Sequence, residues 1–489
     1  MPLDEGSVGK TNFIEDHGLL SQEMKALSLD IIKQVEMKGL QTVRVAWGDQ
    51  HGIVRGKNVM VKDFIQSLKN GIDFQTATLF FDTTNNMFAP MFEPDAGIGM
   101  PELAGGPDAI LVPDPNTFKI LPWAEKTGWI LSSMYFPSGE PCPFDTRNIL
   151  KKTLEETVKK DFTYVVGIEI EFYITQLLDK MLRPEQSGWP PEPPKVNMIS
   201  HGFQYLTEER QDEIAPILDL LQKNIEELNL PLRTIEDEWG PGQCEFTFDP
   251  REGLEAADNI LLFRTAVKQI CRRNNLHASF MTRPGLPNFF SSGWHLHQSL
   301  FDGKQQKNLF ANYSDSNAPL SDLGMHFIGG VLENTAAATA FSTPTINGYK
   351  RYAPNSFAPN HINWASEHRG ALIRVLGGPN DPGTHIENRA GEPCANPYLY
   401  LASQLAAGLY GIENTVDPGE SDKVPYQSKN PLLPRNLNES LKALAENKLF
   451  KDKFGDKFVN YFIKLKSSEI QRFESYVTDW EHREYFEVF

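Results

Sequence analysis

Two glutamates placed two residues apart inside an apolar segment are the strongest chemical signal in the chain. Glu169 and Glu171 lie in the run Gly-Ile-Glu-Ile-Glu-Phe at residues 167–172. In a β-strand, residues i and i+2 point to the same face, so both carboxylates should project together. Adjacent anions on a strand built for burial repel each other and lose hydration unless a cation lies between them. The pair therefore indicates a metal-dependent enzyme.

Other segments place ligating groups in a similar way. Alternating runs and a Gly-Pro-Gly turn carry Glu238, Glu245, His295, His297 and Glu387. Oxygen-rich sites select hard ions, so we expect Mg²⁺ or Mn²⁺, and one imidazole among such ligands does not make a zinc site. For any one pair, a solvated glutamate cluster is the alternative. It fails for the whole set, because these residues lie in apolar or Gly/Pro-shaped contexts.

The composition narrows the classes of partner. The net charge of −17 argues against nucleic acid or an anionic membrane as a partner. Four scattered cysteines form neither a Cys-x-x-Cys zinc motif nor a disulfide framework. The acidic N-terminus lacks the apolar core of a signal peptide, and no apolar run approaches the length of a membrane span. We therefore expect a cytoplasmic protein.

Hydrophobic periodicity predicts the elements that must position these groups. Helices are predicted over 21–38, 149–158, 214–228, about 253–275 and within the tail 437–489. Short strands are predicted over 42–47, 76–81, 109–113 and 128–135, and further strands should carry the polar motifs. The Pro-rich segment 182–196 reads as a loop, and residues 137–143 read as a linker between a smaller and a larger domain.

The motifs, taken in order, carry a family resemblance. They are Gly167-x-Glu169-x-Glu171-Phe172, Gly240-Pro241-Gly242-Gln243-x-Glu245, Gly293-x-His295-x-His297-x-Ser299, Tyr349-Lys350-Arg351, Arg369-x-x-x-x-Arg374, Ile386-Glu387-x-Arg389 and Ala395-Asn396-Pro397-Tyr398. In this order they resemble glutamine synthetases, and the N-terminal part is similar to that family as well. The similarity runs over nearly the whole chain.

The resemblance implies an α+β fold in two domains. Residues 20–140 would form an N-terminal β-grasp domain, and residues 141–489 a catalytic domain with a curved antiparallel sheet, a half-barrel, flanked by helices. It also implies a homo-oligomer of stacked hexameric rings, a dodecamer, with each active site between subunits. The small-molecule substrates would be glutamate, ATP and an amine.

The resemblance also assigns roles by position. One metal would be held by Glu171, Glu238 and Glu245, and another by Glu169, His295 and Glu387, with two to three Mg²⁺ or Mn²⁺ ions in each active site. The residues expected near the phosphoryl group, the substrate glutamate and the nucleotide are Arg369, Arg374, Arg389, Arg351, Ser299 and His385. Ordinary ion pairing is the alternative for Arg369 and Arg374. His297 would orient substrate or complete a hydrogen-bond network.

The flap that follows the Tyr-Lys-Arg motif departs from the family pattern. Glutamine synthetases capture ammonium with acidic groups, and one such acid lies in this flap. Counted from Arg351, its position here is Phe357. A phenyl group removes the charge and adds an apolar wall, although a misplaced flap alignment is the alternative.

Two further positions depart from the family in the same direction. The second ammonium-binding acid corresponds to Gln75, or to Asp73 on a looser alignment. In the family an Asn-Gly pair precedes the histidine motif, and here these positions are Phe290-Ser291. Ser291 therefore stands where the family has a contact to the amino-acid substrate.

These departures favour an organic amine over ammonia as the acceptor. An alkyl or aryl group needs an apolar cavity, and an arylamine is already neutral at pH 7. We therefore predict an ATP-dependent γ-glutamylamide synthetase that forms γ-glutamyl phosphate and acts on a hydrophobic or aromatic amine. A true glutamine synthetase with an unusual flap is the first alternative. A catalytically inactive structural or regulatory relative is the second.

Overall fold

The computed structural model of the protein describes residues 12–179, 183–304, 306–314 and 318–489. The acidic N-terminal residues used above to predict the location lie outside these ranges. The described residues belong to two compact units. The first takes them from Met1–Leu79, Gly106–Phe280 and Asn396–Leu401, and the second from Phe80–Gly105, Met281–Ala395 and Ala402–Phe489. The division near residue 140 stays a prediction.

Helices account for much of the described chain. They are α1 (Phe13–Asp16), α2 (Gln22–Met37), α3 (Val61–Asn70), α4 (Thr146–Lys159), α5 (Glu208–Glu227), α6 (Gly253–Arg273), α7 (Asp322–Ser342), α8 (Pro397–Glu413), α9 (Leu437–Glu446), α10 (Lys448–Phe454), α11 (Asp456–Glu474) and α12 (Asp479–Tyr485). Side-chain caps mark where several of them begin. Ser21 accepts a hydrogen bond from the backbone N–H of Met24 at the start of α2, and Asp145 accepts one from Arg147 at the start of α4.

The strands alternate with these helices along the chain. They are β1 (Thr42–Gly48), β2 (Val54–Met60), β3 (Ile72–Gln75), β4 (Asp108–Pro113), β5 (Lys119–Ile120), β6 (Thr127–Tyr135), β7 (Phe162–Leu177), β8 (Val196–Met198), β9 (Leu232–Asp237), β10 (Gln243–Glu252), β11 (Leu276–Ser279), β12 (Trp294–Asp302), β13 (Trp364–Ser366), β14 (Ile373–Leu376) and β15 (His385–Gly391).

The first unit contains an N-terminal sheet with strand order β2-β1-β6-β4-β3, and β5 pairs with β6. The pairing of β1 with β6 is parallel, and β1 and β2 form an antiparallel pair. The apolar stripe of α2, with Ile31 and Val35, packs against Val43 and Val45 of β1 in one buried cluster. This burial supplies the main stabilisation of the sheet.

The long strand β7 organises the rest of the first unit. It pairs antiparallel with β10, which pairs in turn with β9, and it also pairs with β8 and β11. Helix α6 packs against β7 with its apolar face, because Phe263 contacts Phe172 edge to face at 5.8 Å between ring centroids. One face of β7 is therefore aromatic core, and the other is left for polar groups.

The second unit has its own strands, in the order β13-β14-β15-β12. β12 and β14 both pair antiparallel with β15, and β13 pairs parallel with β14. The long apolar helix α7 is largely buried, and the C-terminal helices α9 to α11 follow in the chain.

Most predicted elements are confirmed, with shifted ends, but the strand predicted over 76–81 is wrong. Residues Thr76–Phe80 form a 3₁₀ helix that follows β3. The hydroxyl of Thr76 donates to the carbonyl of Pro107 at 2.7 Å, and that of Thr78 donates to Gln75 at 3.2 Å. Threonine hydroxyls that bind nearby carbonyls favour turns over extended ladders. In the Pro-rich segment, where residue 182 lies outside the described ranges, Pro184–Gln186 form one 3₁₀ turn and β8 begins at Val196.

A buried ion cluster fixes α4 within the first unit. The guanidinium of Arg147 bonds Asp114 at 2.8 Å and Asp258 at 2.6 Å, and all three side chains are nearly inaccessible. The hydroxyl of Tyr398 donates to Asp258 at 2.7 Å. Burial by itself would raise the pKa of Asp114, but Arg147 and Lys151 together hold it below its ordinary value. Removing the guanidinium would leave Asp114 and Asp258 buried without the cation that lies closest to both.

We predict that Arg147→Ala destabilises the protein by about 3–5 kcal/mol, because it breaks a buried ion cluster from one side. Urea unfolding and the melting temperature measure this loss. The matched control is Lys33→Ala, whose ion pair with Asp30 at 2.9 Å lies on the surface and should contribute about 0.5 kcal/mol or less. Equal losses in the two variants would contradict the structural importance of the buried cluster.

Candidate active site

Four glutamates come together on β7, β10 and the turn between β9 and β10. Glu169 and Glu171 are half-buried on β7, whereas Ile168, Ile170 and Phe172 between and beside them are buried. Glu245 lies directly opposite Glu171 in the antiparallel register. The predicted alternation of β7 is therefore confirmed.

This clustering changes the acidity of the two most buried members. Burial, and then repulsion by Glu171, raise the pKa of Glu238 to about 8. Burial, followed by repulsion from Glu169 and Glu171, raises the pKa of Glu245 far above its ordinary value. These two acids ionise with difficulty because their neighbours are also carboxylates. A divalent cation bound among them would offset the repulsion, so the cluster attracts such an ion. The donor chemistry fits the hard metal ion that the sequence predicts.

Gln243 holds this cluster together, and the sequence analysis gave it no role. Its side-chain amide donates to Glu171 Oε2 at 3.1 Å, and its side-chain oxygen accepts from the backbone N–H of Gly240 at 2.9 Å. Tyr173 donates to the same oxygen at 3.2 Å. Gly242 has φ of 74°, which only glycine adopts easily, so the Gly-Pro-Gly turn places Gln243 at this spot.

Asp237, the neighbour of Glu238, is a second residue that the sequence analysis missed. Only 1% of it is exposed, and neither carboxylate oxygen has a hydrogen-bond partner among the described residues. Burial raises its pKa to about 6. A side chain next to Glu238 in an extended segment points to the opposite face, so Asp237 does not join the glutamate cluster.

In the second unit, Glu387 on β15 is bonded by two arginines and faces a histidine. Arg374 bonds one carboxylate oxygen at 3.3 Å, Arg389 bonds the other, and Nδ1 of His295 lies 3.8 Å from that second oxygen. Arg351 donates to Nε2 of His295 at 3.1 Å and to the carbonyl of Arg389 at 2.7 Å. The structure therefore brings together five of the residues that the sequence predicts for the site.

His297 and His385 form a directed pair in the same unit. Nδ1 of His385 lies 2.6 Å from the carbonyl of Gly383, which can only accept, so Nδ1 donates. In the neutral ring Nε2 then accepts, and it lies 3.0 Å from Nδ1 of His297. Burial, and then the neighbouring His297, lower the pKa of His385, which favours the neutral ring. His297 is therefore part of a hydrogen-bond network.

The other predicted residues lie apart from these contacts. Ser299 donates to the side-chain oxygen of Asn308 at 2.6 Å, and Ser291 accepts from Arg283 at 3.1 Å. Arg369 is exposed beside β14, and Gln75 is exposed at the end of β3. No sequence motif marks Asn308 or Arg283, because their contacts to Ser299 and Ser291 depend on how the chain folds.

Phe357 is the predicted residue with the most unusual backbone. Its φ is 59°, in the left-handed region, and 61% of the residue is exposed. Arg389 donates to its carbonyl at 3.3 Å. The flap is thus tied to the arginine that bonds Glu387, while the phenyl ring stands out from the protein.

Comparisons with known proteins agree with these motifs. A family model described as glutamine synthetase, catalytic domain, matches residues 143–485. Gamma-glutamylanilide synthase of Acinetobacter sp is 41% identical over 98% of this chain and 99% of its own length. Glutamine synthetase of Methanosarcina mazei is 30% identical over 94% of this chain and 97% of its own, and glutamate–isopropylamine ligase of Pseudomonas sp is 28% identical over 96% of this chain and 100% of its own.

A solved GmaS/ADP complex matches the fold with a TM-score of 0.78 and 25% sequence identity, over 94% of this chain and 99% of that chain. The predicted α+β fold, with a curved antiparallel half-barrel sheet flanked by helices, is therefore confirmed. Among the described residues, no helix combines the length and the apolar character needed to cross a membrane. The chain belongs to the glutamine synthetase family and is an ATP-dependent ligase.

Proposed function

We propose that the protein joins the γ-carboxylate of glutamate to an organic amine, giving a γ-glutamylamide, ADP and phosphate. The γ-carboxylate attacks the γ-phosphorus of ATP and releases ADP. The nitrogen of the amine then attacks the acyl carbon of γ-glutamyl phosphate, phosphate leaves, and the nitrogen loses a proton. The favoured acceptor is a hydrophobic or aromatic amine.

The observation that carries the proposal is the exposed phenyl ring of Phe357. By the family resemblance it occupies the position of an ammonium-binding acid, and 61% of the residue is accessible. A phenyl ring attracts hydrocarbon and cannot capture a small cation by charge. The names of two relatives, an anilide synthase and an isopropylamine ligase, support an organic acceptor.

An arylamine suits such a site for a second reason. It is neutral at pH 7, so it needs neither a carboxylate to bind it nor a base to prepare its lone pair for attack. An alkylamine is mostly protonated at that pH and would still need a base nearby. Acceptor choice therefore leans toward aromatic amines.

The metal ions are part of the proposal. One would be held by Glu171, Glu238 and Glu245, and another by Glu169, His295 and Glu387. When bound, they supply charge neutralisation and orientation at the phosphate oxygens. The raised pKa values of Glu238 and Glu245 support the first set, since a cation replaces the protons that these acids otherwise keep.

The arginines would supply the remaining positive charge. Arg369, Arg374 and Arg389 stabilise the phosphoryl group as its charge spreads during transfer, and Arg351 binds the substrate glutamate. Ser299 and His385 contact the nucleotide. Ser291, Gln75 and His297 would line the substrate side. A homo-oligomer of stacked hexameric rings remains part of the same proposal.

Metal binding can be tested apart from catalysis. Burial and the neighbouring Glu169 and Glu171 raise the pKa of Glu245, and glutamine is nearly isosteric with a protonated glutamate. We predict that Glu245→Gln changes the melting temperature in EDTA very little but removes most of the stabilisation by Mg²⁺. In the wild type that stabilisation should reach about 2.7 kcal/mol at a hundredfold excess over Kd.

The matched control for this metal prediction is Glu236→Gln. Glu236 lies opposite Glu245 on β9 but is not a predicted ligand, so its variant should keep most of the Mg²⁺-dependent shift. Equal Mg²⁺ responses in the two variants would show that Glu245 does not bind the ion.

The catalytic importance of the cluster is a separate prediction. Glu171→Ala should abolish amide formation at saturating metal, because its neighbours then bind the cation poorly. The loss of turnover in His297→Ala should be smaller than that in Glu171→Ala by at least about tenfold, or about 1.4 kcal/mol in the activation barrier. Phosphate release with glutamate, ATP, Mg²⁺ and the amine measures both. Near-normal turnover of Glu171→Ala would contradict the ligand assignment.

Acceptor preference tests the proposed function itself. We predict that kcat/KM for an aromatic or hydrophobic amine exceeds that for ammonium by at least about tenfold, because burial of the hydrocarbon contributes about 0.8 kcal/mol per methylene. Phe357→Glu should raise the use of ammonium relative to the organic amine. The introduced carboxylate would lie at a largely exposed position and would attract ammonium by its charge.

The control is Phe92→Glu, the same substitution at a phenylalanine that is 80% exposed and outside the predicted site. It should leave the ratio of the two acceptors unchanged. A wild-type enzyme that uses ammonium as well as any organic amine would identify an ordinary glutamine synthetase.

A further inference from the structure

The acceptor flap, residues 352–359, is held through two consecutive backbone carbonyls. Arg389 donates to the carbonyl of Phe357 at 3.3 Å, and the hydroxyl of Tyr426 donates to the carbonyl of Ala358 at 3.1 Å. A left-handed φ at a bulky residue such as Phe357 is unfavourable and persists only where the surroundings fix it. These two hydrogen bonds hold the backbone at and directly after Phe357.

Tyr426 is itself rigidly placed within the second unit. It lies in the 3₁₀ turn Pro425–Gln427, and the side chain of Asn363 donates to the carbonyl of Pro425 at 3.1 Å. Asn363 is only 1% exposed, and its side-chain oxygen accepts from the backbone N–H of Leu372 at 3.1 Å. The turn is therefore tied to the residues that lead into β14.

The segment after the flap also pairs with the segment after the turn that carries Tyr426. The N–H of Ile362 donates to the carbonyl of Pro431 at 2.8 Å, and the N–H of Leu433 donates to the carbonyl of Asn360 at 3.0 Å. These pairings fix the segment that follows the flap. Within the flap, the side chains of Arg389 and Tyr426 add hydrogen bonds to the carbonyls of Phe357 and Ala358.

The ring of Tyr426 also rests on Gly370. A Cβ at position 370 would lie 2.8 Å from Cε2 of the tyrosine, so the ring closes onto the glycine backbone. Gly370 follows Arg369, which we propose to act on the phosphoryl group. Tyr426 thus contacts both the flap that carries Phe357 and the segment that carries Arg369.

We propose that Tyr426 is a positioning residue for the amine acceptor. Its hydroxyl holds the carbonyl of Ala358, and this contact keeps the ring of Phe357 projecting at the acceptor site. The inference rests on the proposed function, since it assigns Phe357 to the amine. It adds a determinant of acceptor binding that lies 69 residues further along the chain.

Tyr426→Phe removes the hydroxyl and keeps the ring on Gly370. We expect KM for the aromatic amine to rise about fivefold, which corresponds to about 1 kcal/mol. KM for ATP, KM for glutamate and the melting temperature should stay unchanged. A merely structural role would instead lower stability and change all three KM values together, and that result would overturn the inference.

The matched control is Tyr410→Phe. Tyr410 lies on α8, outside the flap, and its hydroxyl donates to the carboxylate of Glu333 on α7 at 3.0 Å. Its variant should behave as the wild type. If the wild type uses organic amines but Tyr426→Phe leaves KM for the amine unchanged, the role of Tyr426 is overturned and the proposed function stands. A wild type that uses no organic amine would instead overturn the proposed function.

A double-mutant cycle tests whether Tyr426 acts through Phe357. In the Phe357→Ala background, Tyr426→Phe should have almost no further effect on KM for the amine, because the positioned ring is already gone. Independent, multiplicative effects of the two substitutions would show that Tyr426 acts in another way.

Discussion

Repulsion among buried carboxylates is the constraint around which the first unit is organised. The register of β7 and β10 sets Glu245 against Glu171, and Glu236 lies on the other side of Glu245. Such an arrangement is costly, and the opposite face of the same strands offsets the cost. There Phe172 packs against Phe246, Phe263 and Phe280 at centroid distances of 5.4, 5.8 and 4.8 Å. Aromatic burial thus stabilises a sheet whose other face carries the cluster of carboxylates.

In the second unit, a buried carboxylate is compensated by arginines. Its carboxylate, Glu387, is almost completely inaccessible, yet it is bonded by two guanidinium groups. Because an arginine remains charged at any physiological pH, this carboxylate can stay ionised without a metal. The same arginines are those that we propose for the phosphoryl group. In the second unit the burial of a carboxylate is thus compensated by arginines, whereas in the first unit it raises the pKa values of Glu238 and Glu245.

The proposed choice of acceptor depends on a smaller feature. The groups that we propose for phosphoryl transfer lie in the region that matches the catalytic domain of glutamine synthetase. By the family resemblance the flap differs, because Phe357 takes the position of an acid, and hydrogen bonds to two backbone carbonyls hold the flap. Backbone carbonyls are available whatever the side chain is. We therefore propose that a substitution at one residue changes the acceptor while the supports of the flap stay in place.

The sequence by itself determined the family, the strands that carry the polar motifs and most helices, because hydrophobic periodicity is a local property that survives in any compact fold. It also predicted that Glu169 and Glu171 share a face, since strand geometry alone requires it. It failed over 76–81, where threonine hydroxyls favour a turn. It gave no role to Gln243, Asn308 or Tyr426. Their partners lie 72, 9 and 68 residues away in the chain, at Glu171, Ser299 and Ala358. Only tertiary structure decides such contacts, because a hydrogen bond depends on register and packing that no local pattern encodes.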